Sequence, residues 1–378
     1  VSDLGHAVVI GGGIAGVSAA YYLCLSNAFD RVTLLEAEKQ LAFHTTGRSA
    51  ALLTENYGTD AVRPLTTASL EFLHRPPSQL VDHPVLSPRG IMTIATSAAD
   101  HETLDVQLAE GHTATHPIVE VSVDTAQELA PHVVFGPDHR IMWEEHAFDI
   151  DVATLHQAFV RGIRAHGGDV QTARRVDAAR PNKGGWLIDT VAGPIDADVV
   201  VNAAGAWGDV VASAAGIAPV GLRPLKRTAF MVNSPIEGSA DFAFAADAHH
   251  RWYVRPDGSQ FLCSPADEAP SEPCDARADE IDIARTIDMI NANTLLNIRS
   301  VNSQWAGLRT FSPDRSMVLG PDPANPTFIW CVGQGGTGIQ TSPGAGQLVA
   351  DLATIGEPGT TFAQSNLRLD SLLPGRFR

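Results

Sequence analysis

Lysine is nearly missing from this chain: of 26 basic residues among 378, only Lys39, Lys183 and Lys226 are lysines, and the formal net charge is -17. So acidic a surface repels polyanions, which argues against nucleic acid and anionic membrane as partners. Cysteine is scarce as well. Cys24, Cys263, Cys274 and Cys331 show no C-x-x-C or Cys/His spacing, so neither a structural zinc, nor any other metal site, nor a disulfide framework is expected. No apolar run reaches membrane-spanning length, and the first apolar strand begins almost at residue 1, leaving no room for a signal peptide. A cytoplasmic setting is expected. There is no G-x-S-x-G elbow and no Walker-type lysine, so hydrolase and nucleoside triphosphatase readings have no motif behind them. His249-His250 has no Cys or acid at ligand spacing and reads as a solvated loop; Glu144-Glu145 reads as surface charge, because neighbours on a strand point to opposite faces.

What the chain does have is 33 glycines and 44% hydrophobic residues, the composition of a globular α/β enzyme long enough for two domains. Its most informative stretch is 8 to 36. Ala7-Val8-Val9-Ile10 reads as a buried parallel strand, and Gly11-Gly12-Gly13-Ile14-Ala15-Gly16 follows as a full G-x-G-x-x-G. Gly11 permits the tight turn, Gly13 lets backbone approach a pyrophosphate, and Gly16 lets the next helix pack closely. That helix, from Ala15 to about Leu25, aims its N-terminal N–H groups at the phosphates. A second strand, Val32-Thr33-Leu34-Leu35, ends at Glu36, placed to accept hydrogen bonds from an adenosine ribose. A 2′-phosphate would be repelled there, so FAD or NAD is expected over NADP.

Further along, Phe43 to Ala51 reads as a polar loop entering a small-residue helix; it would offer hydroxyls and N–H groups to a second phosphate or a ribityl chain, or serve only as an N-capped helix start. Short strands at Gly90 to Ala95 and Arg140 to Trp143 bracket an amphipathic stretch near 120 to 131 and read as a separate sheet. Asp151 to His166 reads as a helix, and 197 to 207 as a strand entering a small-residue turn, back in the nucleotide sheet. A second sheet-like block runs from Gly221 to Phe311, with a helix expected at Asp279 to Ile298. Thr327 to Val332 then reads as a strand, Gly333 to Gly338 as a glycine loop, and Gln340 to Ala353 as a helix.

Four motifs in this order carry a resemblance: Val8 to Gly16, Thr45-Thr46-Gly47-Arg48-Ser49-Ala50-Ala51, Val201-Asn202-Ala203-Ala204-Gly205-Ala206-Trp207, and Gly333-Gln334-Gly335-Gly336-Thr337-Gly338-Ile339. The chain resembles the D-amino acid oxidase superfamily of flavoproteins, which includes glycine and sarcosine oxidases, and within it the bacterial FAD-dependent D-arginine and other D-amino acid dehydrogenases. That resemblance implies an α/β fold, α+β overall, like that of glycine oxidase. A Rossmann-like FAD-binding domain (1–83, 152–217 and 315–378) would be joined to an antiparallel-sheet substrate-binding domain (84–151 and 218–314). It implies noncovalent FAD held by Gly11, Gly13, Ile14, Ala15, Gly16, Glu36 and Ala37, by Thr45, Thr46, Arg48, Ser49, Ala50 and Ala51, by Val176, by Ala204, Gly205 and Trp207, by Gly307 and Arg309, and by Gly335, Gly336, Thr337, Gly338, Ile339 and Gln340. A covalent link would need a suitably placed Cys or His, for which Cys331 is a weak candidate.

The same resemblance implies oxidative deamination by hydride transfer from an α-carbon, with Arg309 binding the substrate carboxylate through its planar fork, Tyr253 donating to that carboxylate, and Tyr57 on a lid. A second cation falls at Lys226 or Arg227, with Lys226 the first choice; a one-residue offset reverses the strand face. Ile91 stands where the D-arginine enzyme has an acid, Leu52 where it has a histidine, and Thr337 where it has a tyrosine. With Gly336 and His44 these would line a more apolar pocket, suited to an uncharged or hydrophobic amino acid. Oxidation of secondary amines such as sarcosine is the alternative, and a flavoprotein that has lost turnover a second. Oxygen, a quinone or another acceptor, and the oligomeric state, remain open at this level.

Overall fold

A computed structural model describes residues 4–111, 116–363 and 365–378; residues 1–3, 112–115 and 364, which fall within the expected domain spans, lie outside the described residues. Leu4–Ile10 pairs in parallel with Phe29–Leu35 on one side and Val199–Asn202 on the other. Phe328–Val332 extends the sheet beyond Val199–Asn202, Asp169–Gln171 extends it beyond Phe29–Leu35, and Val318–Pro321 closes one edge antiparallel. The central strands are apolar along their length because both faces are covered. Helices Ile14–Ser26, Val152–Ala165, Ser342–Thr354 and Arg63–His74 pack on one face, around Val9, Leu34, Phe159 and Leu348. The antiparallel meander Val176–Asn182, Gly185–Thr190 and Ile195–Ala197, with helix Gly208–Ala214, covers the other around Trp186, Val200 and Trp330. Helix Val152–Ala165 begins where Asp151 accepts from the Thr154 amide, an N-cap that satisfies one orphan donor.

A second, mostly antiparallel sheet draws on two regions of chain. Arg223–Asn233 lies between Ser303–Phe311 and Gln260–Ser264, followed outward by Tyr253–Asp257, Phe244–Asp247, Ile91–Ala95, Arg140–Glu144 and Val119–Val121. One face packs its own core, with Met92, Phe230, Val254 and Phe261 under helix Glu280–Asn293. The other carries Ala229, Met231, Phe244 and Tyr253 against Ala50, Leu52 and Ile91. A small sheet of Leu52–Leu53, Phe148–Ile150 and Leu86–Pro88 lies between the two large ones in the chain path.

Three local expectations change. The stretch after Phe43 is not a helix but one 3-10 turn, Thr46–Arg48, followed by extended chain. Its hydroxyls bond outward instead of capping: Thr45 Oγ1 donates to the Leu308 carbonyl (2.8 Å), and Thr46 Oγ1 accepts from the Ile14 amide (3.0 Å). The helix expected to reach Ile298 stops at Asn293, because Thr294 leaves to bridge Val133. Glu144 is not a surface charge; it is 7% exposed and hydrogen-bonded to Thr54 and Asn56.

Candidate active site

The C-terminal ends of the parallel strands and the apolar face of the second sheet enclose a cleft of about 930 Å3, its open mouth included. Gly13, Ile14 and Ala15 line it from the start of helix Ile14–Ser26, whose N-cap residue Gly13 has no side chain and whose Ile14 amide is taken by Thr46 Oγ1. Gly11 turns the chain with φ +114°, and a Cβ on Gly16 would stand 1.8 Å from the Gly11 carbonyl, so helix and turn touch only because both positions are glycine. At Gly13 a Cβ would meet only Thr46 Oγ1, at 3.2 Å, a tight contact with one hydroxyl and none with backbone. Glu36, at the end of Phe29–Leu35, accepts from the Gly12 and Glu38 amides at 2.7 and 2.8 Å. Ala37 beside it is exposed, and Val176 starts the meander two residues after Arg174, whose amide bonds the Glu36 carbonyl.

Thr45, Thr46, Arg48, Ser49 and Ala50 form the next wall. Arg48 does structural work there: its guanidinium donates to the carbonyls of Ala306 (2.8 Å) and Ala276 (3.1 Å), while Trp305 Nε1 donates to the Arg48 carbonyl (3.0 Å). Ala51 is buried behind this wall. Gly205 lines the cleft; Ala204 precedes it, and Trp207 packs its ring 4.6 Å from that of His44. His44 Nε2 lies 3.0 Å from Glu38 Oε1, and its Nδ1 is buried without a partner among the described residues.

At the far end Gly335, Gly336, Gly338 and Ile339 meet Gly307, Arg309, Tyr253 and Arg227. Arg309 Nη1 donates to the Tyr57 hydroxyl at 3.3 Å and, among the described residues, has no carboxylate partner. A Cβ on Gly336 would lie 2.7 Å from that hydroxyl and 3.0 Å from Nη1, so the glycine is what lets the loop lie under both. Tyr253 is buried and stacks on Phe244 (5.3 Å). Ile91 and Leu52 pack in the same apolar cluster. Thr337 is buried, bonding the Gln334 carbonyl, and Gln340 braces Thr54 instead of lining the cleft.

Of the two second-cation candidates the first choice has to change. Lys226 points away, 4.0 Å from Asp282, and Arg227 lines the cleft, since on Arg223–Asn233 it shares a face with Ala229 and Met231. Burial lowers the Arg227 proton affinity, and the neighbouring Arg309 lowers it further. It stays charged, as arginine does in proteins, tied to the Asp267 carbonyl (2.8 Å) and to Glu268 (3.3 Å), which Arg315 shares. The sequence reading also passed over Gln334 and Thr310 in the wall, and Asn56 and Glu144 behind it. For Glu144 the signal was present: if neighbours on a strand face opposite ways, one of Glu144 and Glu145 had to face inward.

The donors suit a long, doubly phosphorylated cofactor. A helix terminus and glycine turn stand at one end, hydroxyls in the middle and a glycine loop at the other. Gly13 to Ala15 would hold a pyrophosphate, Glu36 an adenosine ribose, and the 335–339 loop with Gly307 the redox-active ring. Among the described residues no helix is long and apolar enough to cross a membrane, and no group of three or more His, Cys, Asp or Glu is placed to hold a metal ion.

Comparison with known proteins gives the same picture. The model of the FAD dependent oxidoreductase family matches residues 6–352. The chain is 25% identical over 395 aligned residues to FAD-dependent oxidoreductase domain-containing protein 1 of Mus musculus, covering 92% of this chain and 81% of the relative. It is also 25% identical to glycine oxidase of Bacillus licheniformis, covering 94% of each. Among solved structures it is similar to L-proline dehydrogenase from P. horikoshii, with a TM-score of 0.82 over 100% of this chain and 98% of that one, at 18% identity.

Proposed function

The chain belongs to the FAD dependent oxidoreductase family, and on that premise we propose that it oxidises the Cα–N bond of a small α-amino acid whose side chain is uncharged or hydrophobic. The observation that carries this is Arg309: a guanidinium with no carboxylate partner among the described residues, at the ring end of the cleft, bonded to the Tyr57 hydroxyl, with Tyr253 in the same wall and Arg227 on the neighbouring strand. Two guanidiniums side by side on neighbouring strands of one wall favour an anion in front of them, and a planar fork suits a carboxylate. Bound FAD supplies the two-electron acceptor for a hydride from the α-carbon. The chain's own residues hold and orient: Arg309 grips the carboxylate, Tyr253 donates to it, and Arg227 adds the second positive charge. Tyr57 covers the site. Ile91, Leu52 and Phe244 shape an apolar side-chain pocket. Such orientation contributes to rate by fixing a reactive geometry. The imine product hydrolyses in water to a 2-oxo acid and ammonia.

The D enantiomer is the one toward which the sequence resemblance points. A secondary amine is the competing donor, since likeness to a glycine oxidase and to an L-proline dehydrogenase spans primary and secondary amines. Anaerobic mixing of the flavoprotein with D- and L-amino acids, sarcosine and proline separates these readings through bleaching of the flavin absorbance. Bleaching by small uncharged D-amino acids, and little by sarcosine or D-arginine, is expected; no bleaching across the panel would overturn an enzymatic role. Readmitting oxygen then tells an oxidase, which recolours at once, from a dehydrogenase that waits for another acceptor. Arg309→Ala is expected to raise KM on the order of a hundredfold, the worth of a charge-assisted pair.

A further inference from the structure

Glu144 ends the strand Arg140–Glu144, which pairs with Ile91–Ala95 in the register Ile91↔Glu144. Cross-strand partners project to the same side of a sheet, so the Glu144 carboxyl emerges with Ile91 toward the cleft side, while Met92 and Trp143 enter the opposite core. It is buried, and a carboxyl taken out of water needs partners. Both come from one loop. Oε1 accepts from Thr54 Oγ1 at 2.7 Å and from Asn56 Nδ2 at 2.9 Å. Thr54 is fixed further by Gln340, whose amide accepts from its N–H (3.2 Å) and donates to its carbonyl (3.1 Å). The residue after Asn56 is Tyr57, 38% exposed, whose hydroxyl takes the Arg309 bond. The Asn56–Glu144 bond is therefore the last side-chain tie before the ring that covers the anchoring arginine.

We propose that Glu144 is a positioning residue: it fastens the loop 54–58 so that Tyr57 sits on Arg309, and in doing so sets how well the site captures a carboxylate. This rests on the reading of Arg309 as the substrate's carboxylate anchor. Only an acceptor oxygen is needed, so the role survives protonation. Burial raises the Glu144 pKa and the neighbouring Glu55 raises it further, while Thr54 and Asn56 hold it down. Glu55 in turn pairs with His116 (2.9 Å), whose ring lies 4.0 Å from that of His146 at a tilt of 31°. Those outer groups belong to the same loop mouth, and protonating them leaves the inner tie in place.

The test compares Glu144→Leu, Glu144→Gln and Asn56→Ala as FAD-loaded proteins. Pyruvate, a carboxylate without an amine, is titrated against the flavin absorbance, and hydrogen exchange is followed at residues 55–58. Glu144→Leu and Asn56→Ala are each expected to weaken pyruvate binding and raise KM about tenfold, the usual cost of a lost buried hydrogen bond. The kcat should change much less, and exchange at 55–58 should quicken. Glu144→Gln retains the acceptor oxygen and is expected to stay within about twofold of the parent. Should Glu144→Leu fail to fold, Asn56→Ala removes the tie from the loop side without touching the sheet. Unchanged pyruvate affinity and exchange in the variants, with the parent binding pyruvate, overturns the proposal. A parent that binds no pyruvate overturns the Arg309 reading instead, and faster exchange in the variants would then still establish the tie.

Discussion

Neither ring nitrogen of His132 has a partner among the described residues; the side chain is fully buried, stacked on Phe242 with centroids 5.5 Å apart, and burial lowers its pKa to about 4. In the unfolded chain the same imidazole titrates near 6.5. Between these values the unfolded state binds a proton that the native state does not, so stability falls as pH drops from about 6.5 toward 4, by on the order of 3 kcal/mol. His6 and His156 shift in the same direction, also chiefly through burial, and share the acid limb. His132→Phe keeps the stack and removes the titration. Urea midpoints at pH 7 and pH 4.5 should therefore lie closer together for the variant than for the parent; equal spacing would refute the assignment. The sequence offered no hint of this residue, since an isolated histidine in Pro131-His132-Val133 is indistinguishable from a loop histidine until Phe242 and Phe261 are brought to it from over a hundred residues away.

Within the strand–turn–helix unit the glycines answer to different constraints, and that separates folding from cofactor binding. A methyl on Gly16 would collide with the Gly11 carbonyl, whereas one on Gly13 would press only on the Thr46 hydroxyl, at 3.2 Å, which need give by a few tenths of an ångström. Gly16→Ala is thus expected to lower the melting temperature of the cofactor-free protein. Gly13→Ala should melt with the parent when cofactor-free yet retain little FAD, as measured by flavin content after gel filtration; normal flavin content would count against the pyrophosphate site. This unit was legible in the sequence because every part of it is local: apolar strand, turn, helix and terminal acid lie within thirty residues. The loop after Phe43 was not, since the Thr45 hydroxyl donates to the carbonyl of Leu308, more than 250 residues away. Arg227 and Lys226 were separable only once the pairing with Ser303–Phe311 fixed which parity of Arg223–Asn233 faces inward.

Across the whole molecule the cleft belongs to neither sheet alone. Gly13 and Thr46 come from one side, Gly307, Tyr253 and Arg227 from the other, and Arg48 and Trp305 bond across. A ligand spanning both sides stabilises them as one unit, by about 2.7 kcal/mol at a free concentration a hundredfold above Kd. Calorimetry with and without FAD should show a single transition moving upward; two transitions, of which FAD shifts one, would refute the shared site. The order of elements was readable from the motifs, because three of the four are a strand running into a glycine or small-residue turn. Their closure around one cleft was not, because it depends on pairings between distant segments. Those pairings also govern how the protein comes into being. Leu4–Ile10 leaves the ribosome long before its neighbour Val199–Asn202, some two hundred residues further on, and Phe328–Val332 follows later still. Over that interval of synthesis Leu4–Ile10 therefore has an unpaired apolar edge, a species prone to stick to other nascent chains. Production of this protein should depend on chaperones holding that edge, and shortening the chain before Val332 should yield aggregates that added cofactor does not rescue.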